Sequence, residues 1–232
     1  MKKTLFSEYF NLNKQQAELD FVDVFIDDDK SLYIDPYVFK IRNDAWSVEC
    51  NNLIVDFFNT VVIAIKNKEI TYAKRLLDQL AEPKETHLGV SRLSVSGKGV
   101  SGKQASDLYE KLKTSKAVKT GHLKDLSDCE LMIPGIGFDK ISDITTNIIR
   151  RQLIEYTQAQ CNLHNIPMQN VRVENYGIPP KKDGGMVAIQ IYQLPMAKKL
   201  YLFQNTPWFL SPPYHLKNYI IMKFLNISKL NI

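Results

Sequence analysis

The chain has 232 residues, 44% hydrophobic and 10% aromatic, which is enough apolar material for one full core or two small ones sharing an interface. Its formal net charge is +5, but residues 198–232 carry five lysines and no acid, so residues 1–197 balance at zero. The basic pI is therefore a property of the tail, and is weak evidence for a polyanion partner elsewhere.

Three cysteines, Cys50, Cys129 and Cys161, form no CxxC pair, and Met1-Lys2-Lys3 runs into acid-containing sequence rather than an apolar leader. Free thiols in a cytoplasmic setting are the expectation. One globular domain is expected over residues 1–200, followed by an atypical basic tail at 201–232. The tail lacks Asp, Glu and Gly and has prolines at 207, 212 and 213. It reads either as a helix from about Leu216 to Leu230 or as a loosely packed extension.

In chain order, Phe21–Ile26 and Ser31–Ile34 are β-prone runs flanking Asp27-Asp28-Asp29-Lys30, the pattern of a hairpin with a solvated acidic turn. Asp23, Asp27, Asp28 and Asp35 form a candidate cation site, but no glycine stands where a calcium loop needs its sharp turn. A mostly buried helix is expected from Trp46 to about Lys68. Its apolar run, Leu53–Ile65, contains Asp56 and Asn59 and reads as core, too short and polar to span a bilayer. A second helix over Thr71–Ala81 ends at Glu82-Pro83 and should pair antiparallel with the first. A helix from Lys103 to about Thr114 and a polar link, Ser115–Asp128, follow.

Leu131-Met132-Ile133 reads as a short strand cut by Pro134-Gly135 and Gly137. Beyond it Ile141, Ile144, Ile148, Ile149, Leu153 and Tyr156 recur at the spacing of one long amphipathic helix. Val171–Tyr176 and Met186–Leu194 read as a second hairpin across residues 179–185. The expected class is α+β: a helix-rich single domain with antiparallel strand pairs near both ends.

Two stretches can carry chemistry. Gly97, Lys98, Gly99, Gly102 and Lys103 fit G-x-G-x-x-G, and also the first seven positions of a phosphate loop. Gln104 stands where such a loop needs a magnesium-binding hydroxyl, and no hydrophobic strand precedes the glycines, so neither nucleotide fingerprint is complete. Converging backbone amides and two lysines still describe a phosphate-binding loop, against the alternative of a solvated surface loop.

In the second stretch, Asp139, Asp143 and Asn147 recur every four residues and stack on one edge of the helix, on the face expected to look away from the core. Asp139 and Asp143 can share one Mg2+ for phosphodiester chemistry, with Lys140 or Lys103 steadying developing charge. The bland alternative makes Asp139 the helix N-cap and Asp143 a complement to the dipole, with Ser142, Thr145, Thr146 and Asn147 merely solvated. Ile133-Pro134-Gly135-Ile136-Gly137 before a helix resembles the turn of the helix-hairpin-helix DNA-binding motif, which implies backbone amides facing a phosphate. The aspartates and the β-like run at 131–133 depart from that family.

The four histidines show no zinc spacing. The wording of residues 82–162 resembles a group of bacterial proteins, from which no activity follows. The expectation drawn is a bacterial cytoplasmic protein acting on nucleic acid, a magnesium-dependent nuclease-like component of a mobile-element or phage-defence system with no membrane association. The alternative is a non-catalytic nucleic-acid-binding or protein-interaction subunit.

Overall fold

A computed structural model describes residues 3–28, 30, 32–80, 101–120, 136–173, 189–193 and 210–211. Among these the chain forms helices α1 (Phe6–Tyr9), α2 (Pro36–Ile41), α3 (Ala45–Lys66), α4 (Ile70–Asp78), α5 (Ser101–Thr114), α6 (Lys116–Thr120), α7 (Phe138–Ile148) and α8 (Arg150–Leu163). The strands are short: β1 (Tyr33–Ile34), β2 (Gln169–Val173), β3 (Ile189–Gln193) and β4 (Leu210–Ser211).

The protein is thus mostly helical, which overturns the α+β expectation. At the N-terminal end the reason is a change of partner. The run 21–26 is held by the chain terminus, with Phe6 N–H donating to Val24 O at 2.9 Å and Ile26 N–H to Thr4 O at 3.0 Å. Tyr33–Ile34 lies instead antiparallel to Leu210–Ser211, Tyr33 opposite Ser211. At the other end, β2 and β3 are antiparallel with Val171 opposite Ile191. Two-residue and five-residue segments of this kind are attachments to a helical body.

Two helices, α2 and α3, start on a side-chain cap. Asp35 caps α2 by accepting from Tyr37 N–H at 2.9 Å, with Pro36 at the first helical position. Asp44 caps α3, accepting from Ser47 N–H at 3.0 Å and Ser47 Oγ at 2.8 Å, and pairs with Arg42 Nε at 2.7 Å. Two helices end on a left-handed residue. After α3, Lys68 (φ 61°) donates to Ile65 O and Glu69 N–H to Ala64 O at 2.9 Å. After α8, Asn165 (φ 54°) donates to Asn162 O and Ile166 N–H to Cys161 O at 2.8 Å. These paired bonds close off carbonyls that a helix end otherwise leaves open.

The expected single helix after Gly137 is two, α7 and α8, with a break at Ile149 (φ −93°, ψ 16°). The run Ile-Thr-Thr-Asn-Ile-Ile is rich in β-branched residues. Thr145 Oγ1 also donates to Ile141 O at 2.7 Å, and Asn147 Nδ2 to Asp143 O at 2.8 Å. Side chains that bond the carbonyls of their own helix favour a bend.

The core is built on α3. Phe57, Phe58, Val61 and Ile54 are buried there, and α2, α4, α5 and α7 all contact it. Burial of each such side chain is worth about 1.5–3 kcal/mol. Where α3, α4, α5 and α7 meet, an apolar cavity of about 20 Å³ is lined by Val61, Leu77, Leu108, Leu112 and Ile144 among others. Its walls offer a water no polar partner, so it stays dry. Among the described residues one helix, α3, is long and apolar enough to cross a membrane; nine of its residues are buried in this core.

Candidate functional site

The edge of α7 is where the described residues bring candidate chemistry together. Gly137 is the N-cap, with φ −92° and ψ 176°, and supplies no side-chain bond to the first turn. A Cβ placed there would meet nothing within 4 Å, so neither backbone conformation nor crowding demands glycine. Asp139 is therefore not the N-cap. It lies exposed in the first turn, where its charge still complements the positive end of the helix. Asp143, one turn on, is half-buried, and Lys140, also half-buried, is about 100° around the axis from Asp139.

The third member of the expected row goes the other way. Asn147 is 2% exposed, and Ser142, Thr145 and Thr146 are likewise buried. The face carrying them was expected to be solvated; instead α7 is covered by β1, α2, α3 and α8. Burial is tolerated because Thr145 and Asn147 satisfy themselves on their own helix and Ser142 serves β1.

That last contact completes the site. Ser142 Oγ accepts from Ile34 N–H at 3.0 Å, in a bond buried on both sides. It pins β1 to α7 and brings Tyr33 beside the two carboxylates. The Tyr33 phenol is held above its ordinary value of 10.0, first by partial burial, then by the negative charges of Asp139 and Asp143. Two carboxylates and a protonated phenol therefore share one edge. Tyr33 and Ser142 were invisible as site residues in the sequence, because the Ile34–Ser142 link that joins β1 to α7 spans 108 positions and no local pattern encodes it.

Among the described residues no three His, Cys, Asp or Glu side chains group as metal ligands. Any cation here would rest on Asp139 and Asp143, with further oxygens from Tyr33 or water. That fits Mg2+, which keeps several waters and often takes only one or two carboxylates.

The other candidates lie elsewhere. Gly97, Lys98 and Gly99 fall outside the described residues, as do Pro134 and Gly135 of the hairpin-like turn. The backbone of Gly102 and Lys103 is in the first turn of α5, so helix rather than loop already begins at Ser101. The acidic group near the N-terminus is committed to structure. Asp23, 4% exposed, accepts from Ser7 N–H at 2.9 Å and Ser7 Oγ at 2.6 Å. Asp35 caps α2, Asp27 accepts from Thr4 N–H at 3.3 Å, and Asp28 pairs with Lys3. The buried Cys50 and Cys161 thiols are both pushed up by desolvation, Cys161 to about 11, which suits packing rather than nucleophilic work.

Residues 11–216 match the family model described as Domain of unknown function (DUF8370), and the chain belongs to that family. No curated protein and no solved structure matches it.

Proposed function

We propose that this protein acts on nucleic acid, with Asp139 and Asp143 holding a divalent cation for phosphodiester chemistry. The observation that carries the reading is the placement of the Tyr33 phenol against both carboxylates by the Ile34–Ser142 bond. A bound Mg2+ would supply Lewis-acid polarisation of a phosphoryl oxygen or a metal-bound water as nucleophile. The chain's own part is then definite. Asp139 and Asp143 are acceptor-only groups a turn apart on a helix that is rigid because its opposite side is buried. Tyr33, whose phenol is raised above 10.0 by partial burial first and then by their charges, is a hydrogen-bond donor toward an oxygen bound at that edge. Lys140, on the same turn, offsets negative charge accumulating there.

A second reading is favoured by the position of Asp139 in the first turn: the carboxylates serve the α7 dipole, and the protein is a non-catalytic binding subunit. Cleavage of end-labelled single- and double-stranded DNA and RNA, with Mg2+, Mn2+ or EDTA, separates the two. Metal-dependent cutting that disappears in Asp139→Asn/Asp143→Asn of verified fold supports catalysis. Equal binding by both proteins without cutting returns the aspartates to a structural role.

A further inference from the structure

Charge is segregated along this chain in a way the balanced total conceals. Residues 3–65 hold eleven acidic and five basic side chains, whereas residues 66–120 hold twelve basic and six acidic ones. In the fold the basic part includes α4 and α5, which pack on each other. At that contact Lys74 Nζ of α4 sits 5.3 Å from the centroid of the Tyr109 ring, and Lys113 Nζ of α5 sits 5.6 Å from the same centroid. The two ammonium groups therefore lie within about 11 Å of each other, from those two distances.

Tyr109 is 2% exposed, so the ring is a fixed platform. Each lysine gains from the negative face of the ring, Lys113 from an exposed position and Lys74 from a half-buried one. Lys113 has Glu110 at 3.5 Å, with about half of each side chain exposed. Among the described residues Lys74 has no acidic partner within salt-bridge distance. Close by on α4, Arg75 stacks over Tyr72 at 5.4 Å. Two like charges gathered on one buried ring, with Glu110 paired to one of them, leave net positive charge at this contact.

We infer that this ledge, Lys74 and Lys113 on Tyr109, contacts the phosphate backbone of the nucleic acid, a proposal that rests on the reading above. Lysine is a compact point charge without the planar fork that Arg uses for bidentate recognition, which suits sequence-independent phosphate contacts.

The test is fluorescence anisotropy with labelled single-stranded RNA, single-stranded DNA and duplex DNA over a KCl series. It uses the full chain, Lys74→Gln/Lys113→Gln, and the charge-matched control Lys14→Gln/Lys40→Gln, each checked by circular dichroism. Each phosphate contact contributes about 0.7 to the salt slope on single strands and about 0.9 on duplex. The ledge variant should therefore lose about 1.4 to 1.8 from the slope, independently of sequence, while the control keeps it. Wild-type binding with an unchanged slope in the ledge variant, or with an equal loss in the control, overturns the ledge and leaves the nucleic-acid reading standing. No binding of any of the three polymers by the wild type overturns both, and binding of polyglutamate instead would move the ledge to an acidic protein partner.

Discussion

Removing the Ser142 hydroxyl should loosen the candidate site and the fold together. The Ile34 N–H that it accepts at 3.0 Å belongs to a residue 2% exposed, and Ser142 itself is 7% exposed, so water cannot readily replace the lost acceptor. Leaving a buried donor unmet costs about 1–3 kcal/mol. Alanine's better helix propensity returns roughly 0.5 kcal/mol, and Ser142→Ala should lose about 0.5–2.5 kcal/mol net in urea unfolding with an unchanged m-value. The second readout is local. The Tyr33 phenol, isolated as the difference between each protein and its Tyr33→Phe counterpart in an alkaline absorbance titration, titrates above 10.0 while β1 is pinned. In Ser142→Ala it should move back toward 10.0. Stability within about 0.3 kcal/mol of wild type, with the Tyr33 titration unmoved, would refute the claim that this bond positions β1.

Other outcomes test other parts of the fold. Asp44→Ala removes the α3 cap and should cost about 1–2 kcal/mol near neutral pH. Burial tends to raise the Asp44 carboxyl, but hydrogen bonds from Arg42 and Ser47 outweigh it and the net shift is downward from 3.8. A lowered folded-state value means the contribution is full above about pH 4 and is lost as pH falls below it, so the wild-type and variant stabilities should converge in acid. Lys68→Gly relieves a left-handed non-glycine residue after α3 and should raise stability by up to about 1 kcal/mol, read by thermal melting. Leu112→Ala, at the wall of the apolar cavity, should cost about 2–5 kcal/mol. In a Cys129→Ser protein, native Cys50 and Cys161 should react with a thiol reagent at pH 8 only after denaturant is added.

The helices were legible where chemistry is local. The apolar pattern from Trp46 to about Lys68, and Glu82-Pro83 after the second helix, bracket α3 and α4 to within a few residues of their observed ends. What failed depended on distance or on burial all round. The segment 21–26 has the composition of a hairpin arm, and only its bonds to Thr4 and Phe6 show that the terminus occupies its edge. Ser142, Thr145, Thr146 and Asn147 look like a solvated stripe because periodicity treats polar side chains as outward. Here helix-internal bonds let Thr145 and Asn147 sit inside, and the contact to β1 does so for Ser142.

The site divides the same way. Asp139 and Asp143 were legible as a four-residue repeat, while Tyr33 arrives from a segment more than a hundred positions away. The Lys74–Tyr109–Lys113 group was hidden because overall charge balance over residues 1–197 masks an acidic first third and a basic middle.

Divalent-cation binding at the α7 edge is the central claim, and Mn2+ binding followed by electron paramagnetic resonance tests it most directly. The wild-type protein should bind one ion that Mg2+ displaces, with loss of that ion in Asp139→Asn/Asp143→Asn and weakened binding in Tyr33→Phe. No bound Mn2+, or equal binding by wild type and the double variant, would contradict the assignment of these carboxylates to a metal.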